Sequence, residues 1–359
     1  MINSERLLQT FLHLVQIDSP SGHEQEIGAH LHARLQDLGM QTHMDEVGSV
    51  LGRWEGQGEP LLLSAHMDTV SPGYGVQPVV RDGVIYSDGT TILGGDDKSG
   101  IAVILEILTC LQEQGQRPAV EVVFSTGEEI GLLGAKALDI AWFRARQALV
   151  LDSGGPINVL VHGAPVSDKF DAIVHGQAAH AGSNPEDGIN AIQVASQAIA
   201  HMPLGRIDVE TTANIGLIQG GQAVNVVPDR VEMHGEARSH TTEKLDAQIT
   251  AMREALEKAV SGYPGARLEI EVRRAYESYR LSEQDPLLQR ICQALQDLGH
   301  TPPAFKLSGG GSDANVLNAR GIRAVPVSTG MQSVHTTQEC IALDDMVTCA
   351  RLIMHILAG

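Results

Sequence analysis

Three short apolar runs, Leu61-Leu62-Leu63-Ser64-Ala65, 120–125 and Ala148-Leu149-Val150-Leu151, each give way within a few residues to a histidine or a carboxylate. Runs of this length bounded by turn residues read as buried strands. Between the first two, Ile101 to Leu111 is apolar on nearly every side, as a helix sandwiched against a sheet must be. Strands alternating with helices imply an α/β domain built on a mixed, mostly parallel sheet flanked by helices. The pattern upstream agrees: helical spacing over 4–17 behind a Ser4 cap with Pro20 beyond, a second helix over 24–38 stopping at Gly39, and a strand over 47–54.

From about Ser167 the order changes to strand 168–175, helix 188–202, strands 213–219 and 224–237, helix 243–260 and strand 266–274. This βαββαβ order closes on itself as a ferredoxin-like α+β unit, so 167–275 is expected to be a domain inserted into a first domain made of 1–166 and 276–359. A helix over 285–298 and a strand near 323–328 return the chain to the first domain. Two domains also suit a chain of 359 residues, which exceeds the usual size of one hydrophobic core.

Composition narrows the function classes. A formal charge of −19 repels phosphates and so argues against a nucleic-acid or anionic-membrane binder. No apolar run reaches spanning length, and the N-terminus lacks a basic start followed by an apolar stretch. Cys110, Cys292, Cys340 and Cys349 are scattered without CxxC spacing, as reduced thiols of a cytoplasmic protein would be.

The chemistry-bearing residues sit where the strands end. His66 and Asp68 lie two positions apart after the first run, hence on one face, where an imidazole can bind a metal while the carboxylate orients its ring. Alone, the pair is a weak signal and reads more readily as a hydrogen-bonded His and an exposed Asp. Gly94-Gly95-Asp96-Asp97-Lys98 turns sharply and presents a carboxylate before the buried helix; Asp96 could bridge two metals or simply cap the helix, and Lys98 could neutralise Asp97. Glu128 and Glu129 follow the second run, where one acid can coordinate a metal while the other faces water as a general base; two exposed acids at a helix N-terminus would look the same. Asp152 follows the third run, and His335 lies far downstream in Ser333-Val334-His335-Thr336-Thr337. Together, though not singly, the set fits zinc chemistry. Ser308-Gly309-Gly310-Gly311-Ser312-Asp313 lacks the ending of a phosphate loop and reads as a turn or a carboxylate-binding nest. There is no GxSxG, and Cys110 sits in a core helix, so covalent catalysis has little support.

The order HxD, DDK, EE, D, H resembles the co-catalytic zinc peptidase family that includes peptidase T, carboxypeptidase G and the acetylornithine and succinyl-diaminopimelate deacylases, over nearly the whole chain. The stretch Asp88-Gly89-Thr90-Thr91-Ile92-Leu93-Gly94-Gly95-Asp96-Asp97-Lys98 is similar to the peptidase T-like branch, with Gly95 where Ala is common. The resemblance implies two zinc ions per subunit, or cobalt or manganese in their place. Asp96 would bridge them, His66 and Asp152 would bind one, and Glu129 and His335 the other. It implies a cis peptide between Asp96 and Asp97, Asp68 as the residue that orients His66, and Glu128 as the base that takes a proton from the bridging water and passes it to the leaving amine. The inserted domain resembles the family's lid and dimerisation domain, through segments carrying His180, Asn225 and Arg238. The resemblance then implies a homodimer in which His180 reaches the partner's site while Asn225 and Arg238 bind substrate polar groups. Asn225 could equally cap a turn before Pro228. The expected activity is cleavage of short peptides by a tripeptidase-like aminopeptidase. The alternatives are an N-acyl-amino-acid deacylase or carboxypeptidase and, in another class, a non-catalytic peptide- or metal-binding protein.

Overall fold

A computed structural model describes residues 1–300 and 303–358. The chain divides into two compact units, Met1–Gly163 with Arg280–Ser308 and Ser312–Gly359, and Ala164–Tyr279 with Gly309–Gly311.

The first unit is a six-stranded mixed sheet covered by helices. In spatial order its strands are Gln41–Met44, Val50–Trp54, Pro118–Ser125, Gln57–His66, Gln147–Gly154 and Arg323–Met331. The first two pairings are antiparallel and the remaining three parallel. Parallel strands must be joined by crossovers, and the helix Gly95–Glu113 supplies one. Its residues Ile101 to Leu111 are buried throughout, because sheet strands lie along one side and helices Ser4–Val15 and Leu343–Ala358 along the other. The helix that begins the chain buries Leu7, Phe11, Leu14 and Val15. Its cap is Asn3 rather than Ser4: Asn3 is extended, and its side chain accepts from the Arg6 N–H at 3.0 Å, whereas Ser4 is already inside the first turn.

The second unit is an antiparallel sheet in the order Gly205–Arg206, Thr211–Gly220, Arg230–Ser239, Val166–His175 and Arg267–Tyr276, with helices Ala191–His201 and Thr242–Ser261 packed on it. Phe170, Val174, Val231, Met233, Leu245 and Met252 form its separate core. The strand expected over 224–237 begins only at Arg230. Pro228 has no N–H to give a ladder, and the segment before it instead makes an isolated bridge between His180 and Val226. The helix expected from 188 starts at Ala191, where Asn190 accepts from the Gln193 N–H at 3.0 Å as its cap.

Candidate active site

The strand Gln57–His66, interior to the first unit's sheet, delivers its last side chain, His66, at its C-terminal end, where it is 2% exposed. His66 Nδ1 lies 2.9 Å from the backbone oxygen of Asp68, which can only accept, so this nitrogen carries a proton. That leaves Nε2 facing Asp96 Oδ1 at 3.0 Å. Asp68 does more than orient the ring. Its Oδ1 accepts from the Glu128 N–H at 2.9 Å, and its Oδ2 from the Glu129 N–H at 3.2 Å and from Ser21 Oγ at 2.6 Å. A single carboxylate thus fastens the end of one strand to the turn that follows the next.

Asp96 lies at the start of the buried helix, and the Asp96–Asp97 peptide is cis. Its two oxygens go separate ways, Oδ1 to His66 and Oδ2 to His335 Nε2 at 3.2 Å. His335 Nε2 also meets Glu129 Oε1 at 2.8 Å. Asp152, near the end of the strand Gln147–Gly154, offers an oxygen that lies, with donor atoms of His66 and Asp96, in one group spanning no more than 4.8 Å. Asp96, Glu129 and His335 form a second group within the same limit, and His66, Glu128 and Glu129 a third. All five expected ligands and Glu128 are therefore brought together, with Asp96 common to two of the groups.

Charge decides what such a cluster needs. Asp96, Glu128, Glu129 and Asp152 face two imidazoles, and two like charges 4 Å apart repel by about 4 kcal/mol at an effective dielectric constant of about 20. Burial, reinforced by Asp152, holds the Glu128 carboxyl well above the usual range, and burial with Asp96 nearby pushes Asp152 up to about 8. Hydrogen bonds to Asp96 and Glu129 push His335 up to about 10. Hydrogen bonds to Asp68 and Asp96 raise His66 despite its burial. These shifts favour the protonated forms of Glu128, Asp152, His66 and His335, and two divalent ions would take the place of those protons using the same nitrogen and oxygen donors, a set that suits zinc. His335 has its side chain 49% exposed, so solvent reaches the cluster from that side.

Other residues complete the surroundings. Lys98, which could have neutralised Asp97, is buried and donates to the carbonyl of Ile17 at 2.6 Å. Asp97 instead accepts from the His66 N–H at 3.3 Å. Asp313, read from the sequence only as part of a glycine-rich turn, is a buried carboxylate that accepts from Ser125 Oγ and is pushed up to about 6 by burial. Ser312 caps the short helix that follows, so the serine and asparagine of a capping box were the available signal for this turn. In the second unit His180 is exposed, and its Nδ1 accepts from the N–H groups of Gly182 and Ser183, both at 3.1 Å. Asn225 is exposed, with its backbone oxygen accepting from Ala181. Arg238 is half-buried on the strand Arg230–Ser239 and pairs with Glu236 at 2.9 Å.

An α/β sheet whose strand ends gather nitrogen and oxygen donors around one shared carboxylate defines a class, a hydrolase fold with a candidate two-metal centre. The chain belongs to the peptidase family M20/M25/M40, whose pattern matches residues 62–359. An uncharacterised protein of Bacillus subtilis, YqjE, is 40% identical over 99% of this chain and 99% of its own. The crystal structure of aminopeptidase PepT from Bacillus cereus superposes with a TM-score of 0.87 at 40% identity, covering 100% of both chains. That of a tripeptidase from Staphylococcus aureus superposes with a TM-score of 0.92 at 37% identity, covering 99% of this chain and 98% of the other.

Proposed function

We propose that this peptidase is a two-metal, tripeptidase-like aminopeptidase acting on short peptides in the cytoplasm. The observation that carries the reading is the Asp96 carboxylate, with one oxygen 3.0 Å from His66 and the other 3.2 Å from His335. The names borne by the Bacillus cereus and Staphylococcus aureus structures support the substrate class.

In this reading His66, Asp96 and Asp152 hold one zinc ion, and Asp96, Glu129 and His335 the other. The ions supply Lewis acidity to the scissile carbonyl and to water. The remaining work belongs to the chain. Glu128 takes a proton from the attacking water and releases it to the amine as the carbon–nitrogen bond breaks. Asp68 holds the His66 ring and the backbone of both glutamates in register. With Nδ1 occupied as an acceptor, His180 offers Nε2–H as a donor to the developing oxyanion. We assign it to the partner's site in a homodimer formed through the second unit, with Asn225 and Arg238 binding the substrate's polar groups.

The zinc-reconstituted protein, given a free tripeptide and its N-acetylated form, is expected to cleave the free peptide at least about tenfold faster by kcat/KM, a difference of about 1.4 kcal/mol in transition-state binding. Equal or preferred cleavage of the acetylated form would move the assignment to a deacylase or carboxypeptidase.

A further inference from the structure

Glu339 is 2% exposed and takes no part in the donor groups just described. Its Oε2 accepts from the N–H groups of Leu93 at 2.7 Å and Gly94 at 2.9 Å, and its Oε1 from the Asp96 N–H at 3.0 Å. One carboxylate therefore satisfies three consecutive-turn donors of the segment that presents the shared ligand. Its own backbone is tied down as well: the Glu339 N–H donates to Thr336 O at 3.2 Å, and its carbonyl accepts from Ser87 at 3.0 Å. A Cβ on Gly95 would lie 2.9 Å from Glu339 Oε1, so the carboxylate sits in space that a side chain at 95 would contest.

Glu339 also belongs to the loop that carries His335. The loop closes where Gln332 and Cys340 exchange backbone hydrogen bonds of 2.9 and 3.1 Å, and it holds Ser333 and His335 at φ of 53° and 63°, in the left-handed region. The other ligands have firmer mounts. His66, Glu129 and Asp152 lie on or just beyond three adjacent strands whose spacing is fixed by parallel ladders. The approach of His335 to Asp96 is instead a distance between a loop and the first turn of the buried helix, and Glu339 is a side chain that joins them.

We infer that Glu339 is a positioning residue that sets the geometry of the metal site formed by Asp96, Glu129 and His335, and leaves the site formed by His66, Asp96 and Asp152 largely to the sheet. The inference rests on the ligand assignment under Proposed function. Charged partners of this kind around metal ligands typically govern affinity by about 10–100-fold. Glutamine at 339 would keep the shape but replace one accepting oxygen with an NH2 that confronts backbone N–H groups.

The test is a zinc titration of the full-length, metal-stripped protein in competition with a chromophoric chelator, which reads affinity without reference to activity. Wild type is expected to bind two zinc ions per chain. Glu339→Gln is expected to keep one of them within about twofold and to weaken the other by about 10–100-fold. His335→Ala should lose that same ion, and the double variant should bind no more weakly than His335→Ala alone. Glu339→Asp retains the charge but withdraws it by one methylene; it should weaken the same site to a smaller degree and carries the test if the glutamine variant does not fold. Unchanged affinities in Glu339→Gln, or equal weakening of both ions together with a lower melting temperature of the metal-free protein, would overturn the positioning role. If His335→Ala itself still binds two ions as tightly as wild type, the ligand assignment is what fails.

Discussion

Asp96 presents one oxygen to each of two histidines. Glu128 differs from it in company rather than in chemistry. It is 9% exposed and its N–H is fixed by Asp68, which holds it at the cluster without making it one of the proposed ligands. Glu128→Gln is nearly the same shape and is not one of the five proposed ligands, so the zinc content of the variant should stay near that of wild type. Turnover should fall by about a hundredfold or more. Metal analysis beside steady-state kinetics checks both halves; a variant that turns over at the wild-type rate removes Glu128 from the role of base.

The elements explain why some of these residues could be read in the sequence and others could not. His66, Glu129 and Asp152 follow apolar runs whose period and length mark strands, so their common location at one end of a sheet was legible before any coordinates. The helix bearing Asp96 was legible too, through its all-round apolar surface. Its close seating was not: a Cβ at Gly100 would lie 2.9 Å from the Leu151 carbonyl oxygen and 2.8 Å from Leu151 Cβ, so the glycine lets the helix settle against the strand that carries Asp152. His335 and Glu339 lie in a loop without periodicity, held by backbone bridges and positive φ. The histidine carried no local signal and entered only as one member of the whole set, and the glutamate was missed. The pairing of Val159–Ala164 with Ala304–Leu307 was missed for a related reason, since no local pattern links strands so distant in sequence. Pro228, by contrast, was a visible signal that the strand read over 224–237 ran too far.

At the scale of the whole molecule, the sheet that presents the donor groups and His180 belong to different units, each with its own hydrophobic core. The proposed sharing of His180 between subunits is open to a mixing experiment. Inactive His180→Ala and inactive Glu128→Gln proteins, refolded together, should regain about a quarter of wild-type activity, because random pairing makes half the dimers mixed and gives each of these one intact site. Background activity with mixed dimers verified by mass would place His180 in its own subunit's chemistry or outside it. Among the described residues no helix is long and apolar enough to cross a membrane, and the two-metal centre is open to a structural test. The most direct one is anomalous diffraction at the zinc edge from crystals of the zinc-loaded protein. It should give two peaks about 3.5 Å apart, one about 2.0–2.2 Å from His66 and Asp152, the other as close to Glu129 and His335, with Asp96 touching both. A single peak, or two peaks that do not share Asp96, would contradict the two-metal centre on which the account is built.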